Sequence, residues 1–551
     1  MEKKTAEKKE TTVKVKANAA AETKPAAKAA GTKLAVKKAP AATAVKKPAA
    51  KPAVKKAAVK TEPSPKAAEK KKPLKILFAA SEAFPFSGTG GLGEVIGSLP
   101  KAINKDKGFD TRVMVPFYKD LIPAEFSAKF KFLTSFNVQL SWRSLYCGIF
   151  EYDYEGVKYY FLDNEYYFKR NALYGFYDDG ERFAFFSRAV IESLYLINFI
   201  PDVLHVNDWQ TALVPVYYKL YYMHNRDGYR KIKTVFTVHN IEYQGKYGRE
   251  SVEDLFGISK QELHSLEYGG CVNLVKAAMD YSDAVTTVSP TYAKELMSPA
   301  FSYGLSEIVR WNANKLTGIL NGIDYNSYDP MTDEALFYKY GADTFENKVK
   351  NKLELQKMFG LTEDKDIPMI AVVTRLVAHK GMDLLKQVVH DILKQNVQIV
   401  LLGKGDADYE GYFTYIERNY EKKFKAVIAF NRDLSRKFYG AADMLLMPSR
   451  TEPCGLAQMI ACRYGALPIV RETGGLFDSI KDCNGENMGN GFSFTRYDAE
   501  DLANAISRAL GMYSNNRTVW DALAARIMRI DFSWENSAKS YAEFYKTLTG
   551  K

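Results

Sequence analysis

Short, wholly apolar runs recur along the chain, each followed by a longer amphipathic stretch. "LKILFAA" (74–80), "TRVMVPFY" (111–118), "PDVLHVNDW" (201–209), "KTVFTVHN" (233–240) and "DAVTTVSP" (283–290) each read as a buried strand. Segments of helical period lie between several of them, for instance "ERFAFFSRAVIESLYLI" (181–197). This alternation predicts a parallel sheet covered by helices on both faces. The stretch 132–170 departs from it, because "FNVQLSW" and "GIFEYDYEGVKYYFLD" carry the pattern of an inserted antiparallel hairpin. A second series of strands begins near Pro368 with "PMIAVVTRL", "VQIVLLGKGD", "FKAVIAF", "DMLLMPSR" and "ALPIVRE". Residues 499–549 read as two or three helices.

The pattern gives a domain at 73–325 and a second at 326–530. Residues 531–551 form a last helix expected to pack back on the first domain. Residues 1–72 belong to neither. They are almost entirely Ala, Lys, Pro, Thr, Val and Glu, with no aromatic residue, and are expected to be disordered because they cannot bury enough apolar area to offset ordering entropy. They also explain the net charge of +12: they hold 21 lysines against 6 glutamates, while the remainder has 56 bases against 59 acids. The basicity therefore belongs to the tail, which is read as a solvated extension without a partner. The alternative is an arm that binds a polyanion such as nucleic acid. No apolar run approaches the ~20 residues that span a bilayer. The five cysteines are scattered without a C-x-x-C pair, which suggests neither a zinc site nor a disulfide framework, and a reducing cytoplasm is expected.

"SGTGGLGEV" (87–95) contains G-x-G-x-x-G, the dinucleotide fingerprint. Its context fails. Seven residues separate the strand from Gly88, and the second strand ends in Tyr118 and Lys119 rather than in an acid for a ribose. The informative part is "TGGLGEVI" (89–96), which "TGGLFDSI" (473–480) echoes in the second half. Two Rossmann-like domains facing a common cleft, each offering a helix N-terminus, account for the echo, and such termini suit phosphate or sugar oxygens. In the second half Arg375 ends a strand and Lys380 starts a helix, two cations suited to a diphosphate. "LLGKGD" (401–406) is a glycine turn suited to a nucleotide. Glu452 follows the strand "DMLLM", where it can accept sugar hydroxyls or simply favour a helix N-terminus.

These motifs resemble the bacterial-type glycogen synthases and plant-type starch synthases over about residues 74–549. The resemblance rests on "SEAFPFSGTGGLGEVIGSLP", "HVNDWQTALVPVYY", "TVHNIEYQGKY", "TVSPTYAKEL", "GILNGIDYNSYDP", "TRLVAHKGMDLL", "PSRTEPCGLAQM" and "RETGGLFDSI" in family order. It implies a GT-B fold and a retaining α-1,4-glucosyltransferase that uses ADP-glucose or UDP-glucose, ADP-glucose being favoured, with an α-1,4-glucan as acceptor and without a metal or other cofactor. Arg375 and Lys380 would hold the donor diphosphate, and Glu452, Cys454, Gly455 and Leu456 would contact the transferred glucose. Gly90, Gly91, Thr473, Gly474 and Gly475 would line the donor, with Asn321 near the sugar. Asp178 matches an active-site acid. His205, Asn207, Asp208, His239 and Asn240 would face the sugar or the acceptor.

Three positions depart from the family pattern. Gly88 stands where relatives carry a phosphate-binding lysine, Glu94 replaces an Asp, and Asn207 replaces a frequent second His. Loss of the lysine removes a charge-assisted contact ordinarily worth about 1.5–3 kcal/mol. Arg375 and Lys380 with loop amides, or Lys101 or Lys119 swinging in, would replace it; a catalytically impaired paralogue is the alternative. An epimerase or phosphorylase on the same fold is another reading, but no string suggests a pyridoxal lysine. Removing residues 1–72 is expected to leave glucan synthesis undiminished. Salt-sensitive DNA binding that disappears with the tail would instead give the tail a polyanion partner.

Overall fold

The structure, a computed structural model, describes residues 72–484 and 488–551, so the reading of the tail lies outside the described residues. Among the described residues, eighteen strands form three sheets. The first half contributes β1 (Leu74–Ala79), β2 (Phe109–Pro116), β3 (Lys131–Leu140), β4 (Arg143–Tyr154), β5 (Val157–Asp163), β6 (Val203–Asn207), β7 (Lys233–Val238), β8 (Lys246–Tyr247), β9 (Glu267–Tyr268), β10 (Cys271–Asn273), β11 (Ala284–Thr287) and β12 (Leu316–Gly318). The second contributes β13 (Met369–Val373), β14 (Gln398–Gly403), β15 (Phe424–Ile428), β16 (Met444–Met447), β17 (Leu467–Arg471) and β18 (Phe492–Phe494).

The large sheet runs β12-β11-β7-β6-β1-β2-β5-β4-β3, and the six-stranded sheet runs β15-β14-β13-β16-β17-β18. Every pairing in the second is parallel. In the first, β3, β4 and β5 form an antiparallel meander whose last strand pairs in parallel with β2. Both faces of the central strands are buried. Along β1, Leu77 and Ala79 join one core while Leu74, Ile76 and Phe78 join the other. A continuous apolar run is therefore the right sequence for this strand. In both halves the strand order reverses beside the first strand of the half, β1 or β13, where the carboxyl ends open a crevice.

The chain crosses between the halves twice, and the crossings touch. Ile323 donates its amide to the Phe532 carbonyl at 2.8 Å. A side chain at Gly322 would strike the backbone at Ser533 and Trp534. The final helix, Trp534–Thr549, then buries Trp534, Ala538, Tyr541 and Tyr545 against the core beneath the Gly91–Ile103 helix. Trp534→Ala is expected to destabilise the first half by about 3–5 kcal/mol, the usual cost of emptying an aromatic core site, as measured by denaturant unfolding.

Candidate active site

The carboxyl ends of β13, β16 and β17 bring Arg375, Lys380, Glu452 and Thr473 together. Lys380 Nζ lies 2.6 Å from Glu452 Oε2, and Ser449 Oγ donates to the same oxygen at 3.1 Å. This carboxylate therefore already carries a cation and a hydroxyl. Glycines make the cluster possible. Gly381, at φ +79°, lies against the Pro448 carbonyl, and Gly474, at φ +44°, against that of Glu452, so a Cβ would collide at either position. The Arg450 amide donates to the His379 carbonyl at 2.9 Å, which ties the Lys380 turn to the Glu452 loop. Burial, with Lys380 alongside, holds the His379 imidazole below its usual pKa. Cys454 packs against the Asn321 amide at the crossing between the halves, and burial raises its thiol to about 12. The buried Asn321 Oδ1 has no hydrogen-bond partner among the described residues. Such an acceptor is costly unless a hydroxyl or water satisfies it.

The first half presents a second cluster at the ends of β6 and β7. His239 Nε2 lies 2.9 Å from Asn207 Oδ1, while Asn207 Nδ2 donates to the Ala79 carbonyl at 3.1 Å. With its amide nitrogen committed as a donor, Asn207 can only accept from His239, so Nε2 carries the proton and Nδ1 is left as an acceptor. Desolvation lowers His239 to about 3, and it stays neutral. Asp208 sits at φ +57° with Oδ1 accepting the His239 amide at 2.7 Å. Burial raises its carboxyl to about 7, against the amides of His239 and Asn240, which favour the anion. Asn240 Oδ1 accepts the Glu242 amide at 3.0 Å and shapes the turn.

Both glycine loops hold carboxylates. Glu82 accepts the Thr89 amide at 2.8 Å and the Gly93 amide at 3.1 Å. Glu295, from the first half, accepts Thr473 Oγ1 at 2.8 Å and the Gly474 amide at 3.0 Å across the cleft. Asp478 returns the contact by accepting the amide of Thr291 at 2.9 Å and its hydroxyl at 2.6 Å. Two short helices thus bind each other's first turns.

The comparisons with known proteins agree with this geometry. A model described as the starch synthase catalytic domain matches residues 75–311, and one described as glycosyl transferases group 1 matches 355–524. The glycogen synthase of Clostridium acetobutylicum is 47% identical over 481 residues, 86% of this chain and 100% of that protein. That of Clostridium novyi is 47% identical over 485 residues, 87% of this chain and 100% of that protein. The catalytic domain of starch synthase IV from Arabidopsis thaliana, solved bound to ADP and acarbose, superposes with a TM-score of 0.80 at 34% identity, covering 87% of this chain and 100% of that one. The chain belongs to the glycogen and starch synthase family. It has the GT-B fold and is a glycosyltransferase of glycogen or starch synthesis.

Several expectations for this synthase need correction. His205 does not face a sugar: it is 1% exposed on β6, with Nδ1 2.6 Å from the Tyr545 hydroxyl and Nε2 on the Thr237 hydroxyl. It joins the last helix to the sheet. Asn207 is likewise buried and acts behind His239 rather than on a ligand. The Thr473 hydroxyl and the Gly474 amide are taken by Glu295, and the Gly475 amide by the carbonyls of Glu452 and Pro453, so this loop is not an open anion seat. Lys101 is held by Glu155 and Asp324, and Lys119 by Asp163 and Glu165, so neither serves the Gly88 loop.

Asp178 accepts both terminal nitrogens of Arg170, at 2.8 and 2.6 Å. Burial pushes its carboxyl up, but Arg170 more than offsets this and holds it below the usual range. The sequence reading missed Glu82, Glu295, Asp478 and the exposed Phe430 ring beyond β15. Glu82 lies seven residues before Thr89 and was legible as a local cap, but nothing in the sequence joins Glu295 to Gly474. Among the described residues, no group of three or more His, Cys, Asp or Glu side chains is arranged to hold a metal ion, and no helix is long and apolar enough to cross a membrane.

Because Asp208 binds its proton more tightly folded than unfolded, its contribution to stability is complete below a carboxylate's ordinary pKa and is lost as pH rises from about 4 to about 7. Buried neutral His205 and His239 act in the opposite sense up to about pH 6.5, so the Asp208 contribution is read as a difference between variants. As pH rises from about 4 to about 7 the thermal midpoint of the wild type is expected to fall relative to that of Asp208→Asn, which stays neutral and can still accept the His239 amide.

Proposed function

We propose that this synthase transfers glucose from ADP-glucose to the non-reducing end of an α-1,4-glucan with retention of configuration. The observation that carries the reading is the Lys380–Glu452 pair at 2.6 Å, set between Arg375 and the Asn321–Cys454 contact at the meeting of the two halves. Departure of the nucleotide puts negative charge on the diphosphate and positive charge on the sugar. Arg375, exposed at the end of β13, and Lys380 would stabilise the first. Glu452, held by Lys380 and Ser449, would accept glucose hydroxyls, and the buried Asn321 oxygen would take another.

The amides of Leu456 and Ala457, four and five residues after Glu452, donate to no acceptor among the described residues. They offer the diphosphate the anion contact that the Gly474 amide does not. Phe430, 87% exposed just beyond β15 on the same carboxyl edge, offers a ring on which a base can stack. The preference for adenine is supported by the starch synthase IV structure, which was solved with ADP.

Retention follows without a covalent intermediate if a phosphate oxygen of the leaving group guides the acceptor hydroxyl onto the face it vacates. The state of the carboxylates supports this. Glu452 is paired with Lys380 and Asp178 with Arg170, and a paired carboxylate is a poor nucleophile. In this reading the cations of the step are side chains. All five cysteines are free thiols, in keeping with a cytoplasmic place of work.

Purified protein supplied with labelled ADP-glucose or UDP-glucose and a maltooligosaccharide primer is expected to extend the primer from ADP-glucose, and to do so in EDTA. Arg375→Ala should lower turnover by about 10²–10³-fold, the scale of losing one preorganised charge-stabilising donor. Transfer from neither donor, or a glucosyl group trapped on Glu452 or Asp178, would refute the mechanism.

A further inference from the structure

The N-terminal glycine loop has no cation of its own. The amides of Gly90 and Gly91, at the start of the 13-residue Gly91–Ile103 helix, donate to no acceptor among the described residues, and a Cβ at either glycine would meet open space. A Cβ at Gly88 would lie 2.8 Å from the tip of the Phe84 ring, so a side chain there requires the ring to turn aside. Gly93 packs against the same ring, and its carbonyl accepts the Phe84 amide at 3.0 Å.

The charge comes from the other half. Arg432, the first residue of the Arg432–Ala441 helix, places Nη2 3.1 Å from Glu94 Oε1, one helical turn beyond Gly90. Its guanidinium lies 5.5 Å from the centre of the Phe84 ring and 5.8 Å from that of Tyr328. Asp324 and Arg436 complete the charged groups around Glu94. The Arg432 side chain is 40% exposed while Glu94 is partly buried, so the guanidinium, and not the carboxylate, is the partner within reach of an anion arriving from solvent.

We infer that Arg432 is a donor-binding residue: on entry of the nucleoside diphosphate its guanidinium leaves Glu94 and takes a phosphate oxygen, supplying from the second half the cation that the glycine loop does not carry. Guanidinium is well suited to this, because its fork donates two hydrogen bonds to a phosphate. Arg432 also lies two residues beyond the exposed Phe430, so ring and cation would serve one nucleotide. The inference rests on the donor site proposed above and adds to it a residue from outside the Arg375–Lys380 turn.

ADP binding by calorimetry, with initial rates against donor and glucan, tests it. Arg432→Gln should weaken ADP binding and raise the donor KM by at least about tenfold, the loss of one charge-assisted contact, with the glucan KM unchanged. Arg432→Lys should lie between. Glu94→Gln, which releases the guanidinium, should leave ADP binding equal or tighter. If Arg432 only latches the two halves, Glu94→Gln will weaken ADP binding as much as Arg432→Gln does, and the inference is overturned. It is equally overturned if Arg432→Gln binds ADP normally. In that case Arg375→Ala still reports separately on the donor site itself.

Discussion

The site depends on how closely two backbone turns approach the loop that carries one carboxylate. Glu452 lies between the turn after β13 and the turn after β17, and both carry glycine where any side chain would collide with a carbonyl. Only that packing lets Lys380 reach Glu452 while the Arg450 amide binds the His379 carbonyl. The positive φ values of Gly381, Gly455 and Gly474 follow from the same demand, since left-handed backbone and bare Cα atoms allow the turns to nest. The donor chemistry inherits this geometry, because a charge that develops at the diphosphate needs cations already in place.

Carboxylates bind the amides of both glycine loops. Glu82 serves its own loop, whereas Glu295 and Asp478 knit the first half to the second by reciprocal contacts on helix first turns. Burial raises the carboxyls of Glu82, Glu94 and Glu295, so these acids are held at a cost in desolvation. They lie where an anionic substrate would find amides or cations. The halves therefore meet through contacts of the chemical type that a phosphate makes.

Much of this was legible in the chain. The apolar runs gave the strands of both sheets, because strands buried on both faces admit little else. The inserted antiparallel strands were visible in their alternating pattern, which read as a hairpin, and pairing of β4 with β5 as well as β3 makes it a meander. Arg375, Lys380 and Glu452 could be singled out because in parallel α/β sheets ligands meet strand ends, and strand ends are readable. His205 and Asn207 were misjudged for a related reason. Asn207 does stand at a strand end, but behind His239, while His205 sits in the middle of β6 beneath the last helix. A sequence does not say which strand a distant helix covers, and Tyr545 is 340 residues from His205.

By itself the sequence determined the periodicities, the two halves, the family motifs and the absence of a cation at position 88, all of which are local properties of neighbouring residues. The tertiary structure decided everything that rests on pairs far apart in the chain. It set Glu295 on Gly474, Asp478 on Thr291 and Arg432 on Glu94, contacts that span 179, 187 and 338 residues. The physical ground is the same throughout. Local propensity sets what an element is, but which charge meets which amide depends on how the two sheets close on each other.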